Sequence, residues 1–140
     1  MSAPWAPGRL VPPNLLTEIR AAEAAATATR AVPGVVRLQP GVWGLLRQFV
    51  AQAWTQATGK ALPDIAGVDA DLDANRELLR IDVRIVVSID YHAAQIGEAV
   101  HEAVTAAVAA VTGQPAQVQI HIVEIALEPG RALPAAERGP

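Results

Sequence analysis

Every second residue from Leu79 to Ile89 is apolar: Leu79, Ile81, Val83, Ile85, Val87 and Ile89 stand between Arg80, Asp82, Arg84 and Ser88. Successive side chains of a strand point to opposite faces, whereas a helix face recurs about every 3.6 residues, so this run fits a strand with one buried side. Just before it, Val68, Ala70 and Leu72 alternate with Asp69, Asp71 and Asp73, and Ala74, Asn75, Arg76 and Glu77 fall between the two runs. Together they read as a β-hairpin. A four-residue loop sets Asp71 opposite Arg80 and makes Arg84 a diagonal neighbour of Asp69. A two-stranded ribbon with one apolar face must be covered, so the rest of the chain has to supply more strands and a helical layer.

The flanking sequence does so. Asn14 fits an N-cap, Thr17 and Glu18 fill a first turn, and Leu15, Leu16, Ile19, Ala22 and Ala26 recur at helical spacing until Pro33 and Gly34. Val35, Val36, Arg37 and Leu38 form a short strand, stopped by Pro40 and Gly41. Over 42–57, Val42, Leu45, Leu46, Phe49, Val50 and Ala53 share one helical face, which Trp43 and Trp54 widen beside Arg47. Asp90 fits the N-cap of a third helix with the stripe Ile96, Val100, Val104, Ala107, Val108 and Val111, ended by Gly113 and Pro115. Val118, Ile120 and Ile122 then alternate with Gln119 and His121 in a last strand, bulged near Val123 and Glu124. The expected fold is α/β in the α+β sense: a largely antiparallel or mixed sheet of about four strands, with helices on one face. The domain spans 14–127, between Pro-rich and Gly-rich ends at 1–13 and 128–140 that read as disordered tails.

A chain of 140 residues suits one domain, and its apolar fraction of 51 % is enough for a core. Much of that fraction is Ala and Val and aromatics are only 4 %, so the core is built from small and β-branched side chains. The net charge of −3 gives no overall attraction to phosphate backbones or anionic lipid. The absence of cysteine excludes disulfides, thiol nucleophiles and Cys-ligated metals. Residues 1–13 carry Pro4, Pro7, Pro12 and Pro13 and no apolar run, unlike a signal peptide, and no stretch of about 18 apolar residues occurs. A cytoplasmic location is expected.

In this order the segments resemble the alkaline-shock (general-stress) family of bacterial envelope stress response proteins. The resemblance covers about 22–125. It is carried by Ala31, Val32, Pro33, Gly34 and Val35, like the family's "V-x-G-V", and by Gly67, Val68, Asp69, Ala70, Asp71 and Leu72. The strand at 79–90, the helix at 96–112 closed by Thr112 and Gly113, and Val118, Gln119, Ile120, His121 and Ile122, like "V-N-I-H-V", complete it. The resemblance implies a small α/β domain without catalytic machinery, acting as an adaptor or scaffold held near the cytoplasmic membrane face by a partner. Over 42–57 the chain departs from the family, which is often Gly-rich there, and this leaves partner identity open.

Asp69, Asp71 and Asp73 have the opening rhythm of a calcium loop, but Ala74 and Arg80 occupy the places of its glycine and bidentate glutamate. Strand period two already explains their spacing. Glu98, His101 and Glu102 give one Glu-x-x-His copy where di-metal bundles use two, and they fall opposite the apolar stripe. His92, His101 and His121 have no metal-binding spacing. Ser88 lacks a nucleophile elbow, and no glycine pattern makes a phosphate loop. The aromatics Trp5, Trp43, Phe49, Trp54 and Tyr91 lie outside the strands, so the stacking platform of an RNA-binding sheet is missing.

What remains is contact surface. The expected protein-binding patch is Trp43, Phe49 and Trp54 with Arg47, since tryptophan is enriched at interface hot spots. Its plainer account is a helix whose tryptophans fill the margins of a core. A membrane-surface helix is less supported, because Arg47 is its only basic residue. A second, polar patch groups Asp69, Asp71, Arg80 and Arg84. An exposed sheet edge could also take an added strand. The expected function is a non-enzymatic adaptor or scaffold without cofactor. Its partners are other proteins, a membrane-anchored one among them, or further copies of itself, with no nucleic acid and no direct membrane insertion. The alternatives are a metal protein or enzyme using Glu98, His101 and Glu102, and a small nucleic-acid module.

Overall fold

The computed structural model describes residues 14–40, 46–61, 64–73, 75 and 77–127, and the expected tails lie outside them. Its axis is β3, Leu78–Ser88, on which Leu79, Ile81, Val83, Ile85 and Val87 share one face and are fully buried. β2, Val68–Asp73, runs antiparallel to the first half of β3 in the expected register, Asp71 facing Arg80 and Asp73 facing Leu78. β1, Val35–Leu38, runs antiparallel to the second half, opposite Ile85 to Val87. β4, Ala116–Ala126, pairs parallel with β3 along its whole length, from Leu79 opposite Ala116 to Ser88 opposite Ala126. Since β4 occupies one edge of β3, β1 and β2 share the other, end to end. The sheet is therefore mixed, with two antiparallel pairings and one parallel.

A parallel pair needs a long crossover, and α3, Ala93–Thr112, provides it. Its stripe Ile96, Val100, Val104 and Val108 is buried at four-residue spacing. Gly113, in the left-handed region, closes the helix by donating its N–H to the Ala109 carbonyl. α1, Leu15–Arg30, buries Ala21, Ala22, Ala25 and Ala26 beside α3 and the sheet. Side chains this small let backbones approach closely, so a core almost free of aromatics still fills its volume. Leu38 of β1, Val68 of β2 and Val118 of β4 complete the same cluster.

The remaining helix, α2, spans Leu46–Thr58, while residues 42–45 of the expected segment lie outside the described residues. Two local details differ from the sequence reading. α3 begins after His92, not at Asp90, because the Asp90 N–H is drawn into a turn by the Ser88 hydroxyl, 3.1 Å away. Asn14 does precede α1, but its side chain caps nothing in that helix and reaches β2 instead. The bulge near Val123 is present: Ile85 faces Ile122 and Val86 faces Glu124, leaving Val123 as the extra residue. No helix among the described residues is long and apolar enough to cross a membrane.

Candidate functional site

The face of the sheet opposite α1 and α3 is charged. Asp69 and Asp82 sit directly across β2 and β3, a like-charge pairing that is unfavourable by itself. Two neighbours relieve it. Arg84 Nη1 donates to Asp69 Oδ2 at 2.9 Å, and His121 Nε2 lies 2.9 Å from Asp82 Oδ1. Further along, Arg37 of β1 reaches across Val86 to Glu124 of β4, 3.5 Å away. The expected patch of Asp69, Asp71, Arg80 and Arg84 is thus brought onto one face, where Asp69 pairs with Arg84, Asp71 stands opposite Arg80, and the Asp82–His121 and Arg37–Glu124 pairs extend the charged surface. Asp82, His121, Arg37 and Glu124 were missed, because nothing in a period-two pattern says that β4 lies against β3.

This lattice has the character of a solvated face. Exposed pairs of this kind each contribute about 0–1 kcal/mol. Asp73 accepts the Asn75 N–H at 3.1 Å within the hairpin turn, while Asp69 is held by Arg84. Glu98, His101 and Glu102 are exposed on α3, away from its buried stripe. Among the described residues, no three His, Asp or Glu side chains are grouped as a metal ion would require.

The helix patch is only partly within view. Trp43 lies outside the described residues, and Arg47 and Phe49 belong to α2 but their side chains lie outside them too. Trp54 is buried, with its indole N–H unpaired among the described residues. It sits on the apolar arc of α2, and burial is the physical outcome of that position.

The two edges of the sheet differ sharply. On the outer edge of β2, the Leu72 N–H donates to Glu18 Oε2 at 2.8 Å, and the Leu72 carbonyl accepts from Asn14 Nδ2 at 3.3 Å. Two side chains from the start of α1 thus occupy the place of a neighbouring strand. Burial raises the Glu18 pKa above the usual carboxylate range, the bond from Leu72 opposes this, and the nearby Asp71 carboxylate adds to it.

On β4 no such plug exists among the described residues. Its first half is anchored by Val118, with Ala116 and Ile120 packed on the core. From His121 to Ile125 every residue is exposed. Ile122, Val123 and Ile125 are 38–46 % exposed and the following Leu127 71 %. Ile89 joins them, its N–H bonded to the Ala126 carbonyl at 3.1 Å. The result is an apolar patch on an edge strand of 11 residues with no Lys or Arg along it. Such an edge takes up another extended chain through backbone hydrogen bonds, while the apolar side chains add contact. The groove between α1 and α3 is open and shallow, with Ala24, Ala28, Ala107 and Val111 supplying apolar surface and Arg20, Glu23 and Thr27 the polar groups, and it does not enclose a small molecule as a ligand pocket does. No protein-family model, curated protein or solved structure matches this chain.

Proposed function

We propose that this chain is a non-enzymatic adaptor or scaffold that binds other proteins along the β4 edge. The observation that supports this is the asymmetry of the sheet: β2 is plugged at Leu72 by Asn14 and Glu18, while β4 carries an exposed row of Ile122, Val123 and Ile125. Large exposed apolar side chains grouped on an edge are costly in water and are characteristic of contact surfaces. The order of sequence words shared with the alkaline-shock family adds the cellular setting. On that reading the chain belongs to an envelope stress response and works in the cytoplasm, held near the membrane by an anchored partner.

The test is affinity purification from the native host followed by mass spectrometry. Wild type is compared with the double variant Val123→Lys/Ile125→Lys. Both positions are exposed, so circular dichroism and thermal unfolding stay close to wild type. Partner proteins recovered with wild type are lost with the variant. Equal recovery by both chains refutes the β4 reading.

A further inference from the structure

We infer that the β4 edge pairs with the β4 edge of a second copy of this chain, antiparallel, about a two-fold axis between Val123 and Glu124. This rests on the reading of β4 as the binding edge and names its occupant. Residues facing each other across an antiparallel pair project to the same side, so any self-pairing must match helix-side residues with helix-side residues. Ile120 and Ile122 are on that side, continuing Ala116 and Val118. After the bulge at Val123 the alternation resumes with Ile125, which faces the buried Val87, on the helix side as well.

An axis between Val123 and Glu124 sets Ile122 against the second copy's Ile125 and Ile120 against its Leu127. The exposed apolar side chains of each copy then cover those of the other. Axes further toward Ala116 leave Ile125 and Leu127 in water and bring together Val118, already buried, and Ile120, already partly buried. The bulge makes this fit possible, because it returns an isoleucine to the helix side three residues after Ile122 instead of two.

Charge does not oppose the pairing. His121 and Glu124 are the ionisable groups of β4. Each is engaged within its own chain, His121 with Asp82 and Glu124 with Arg37. The two Glu124 carboxylates that meet near the axis are therefore each flanked by an arginine. A parallel two-fold pairing is disfavoured, since it turns one sheet over and sets the apolar side of one copy beside the charged side of the other. The antiparallel arrangement keeps α1 and α3 of both copies on one side of a continuous sheet.

The chain has no cysteine, so single introduced cysteines report the register cleanly. In the proposed dimer the two copies of position 123 lie about 6 Å apart, within disulfide range, and the two copies of position 117 about 40 Å apart. Sedimentation equilibrium of the purified full chain is expected to show a dimer. Under mild oxidation Val123→Cys is expected to form a covalent dimer and Gln117→Cys to remain monomeric on non-reducing gels. Ile125→Lys, exposed and so compatible with the fold, is expected to weaken dimerisation about a hundredfold. A wild-type chain monomeric at every concentration overturns the inference, as do cross-linking at position 117 or a dimer undiminished by Ile125→Lys. If the wild type is monomeric yet loses its protein partners on Val123→Lys/Ile125→Lys substitution, self-pairing fails while the adaptor reading stands.

Discussion

Glu18 carries two opposed duties. It is half-buried and accepts the Leu72 N–H that would otherwise lie open on the β2 edge. Burial raises its pKa in the folded chain, so the folded state holds its proton more readily than the unfolded state does. Over the interval from the ordinary carboxylate range up to the raised value, the folded state binds more protons, and stability falls as pH rises. Above that interval the penalty is complete. Glu18→Gln keeps an oxygen for Leu72 and is expected to flatten this fall. Glu18→Ala leaves the N–H unpaired and is expected to cost about 1–3 kcal/mol. Urea denaturation between about pH 4 and pH 7 reads both effects. Gly34 is constrained differently. Its φ of +96° lies in the left-handed region, and a Cβ there would stand 2.5 Å from Ile96 Cδ1 and 2.8 Å from Tyr91 Cγ. Gly34→Ala is therefore expected to destabilise by about 1–3 kcal/mol, seen as a lower denaturation midpoint at unchanged m-value.

At the scale of elements, periodicity marks what each segment buries but not what lies beside it. The hairpin of β2 and β3 was legible because alternation and a four-residue loop together determine register, down to Arg84 beside Asp69. The α3 stripe was equally plain from Ile96 to Val108, although Val111, placed on it by spacing, is 52 % exposed near the helix end; its strength is testable. Val104 is fully buried in mid-helix, so Val104→Ala is expected to cost about 2 kcal/mol in chemical denaturation. Glu102→Ala, on the exposed side of the same helix, is expected to change stability by less than about 0.5 kcal/mol. The parallel placement of β4 was not legible. Alternation at Val118, Ile120 and Ile122 is the same whichever strand they join, so the His121–Asp82 and Arg37–Glu124 contacts could not be anticipated. The start of α3 was missed for a local reason: Asp90 is a good capping residue by type, but Ser88 holds its backbone in a turn. Of the tryptophan patch only the Trp54 side chain is described, and it is buried.

For the whole molecule, α1 and α3 cover one side of the sheet and an ion-paired lattice occupies the other, so neither face offers a concave chemical centre among the described residues. The informative boundary is the edge. β3 has three strand partners, and the one that follows α3 in the chain is β4. Synthesis runs from the N-terminus, so a nascent chain that has emerged only as far as α3 holds β1 and β2 on one side of β3 and nothing on the other. That bare side presents an 11-residue strand, whose Leu79, Ile81, Val83, Ile85 and Val87 are fully buried in the finished fold, until β4 leaves the ribosome. Chaperone contact, or capture of a neighbouring polypeptide's β4 on a crowded polysome, falls within this interval.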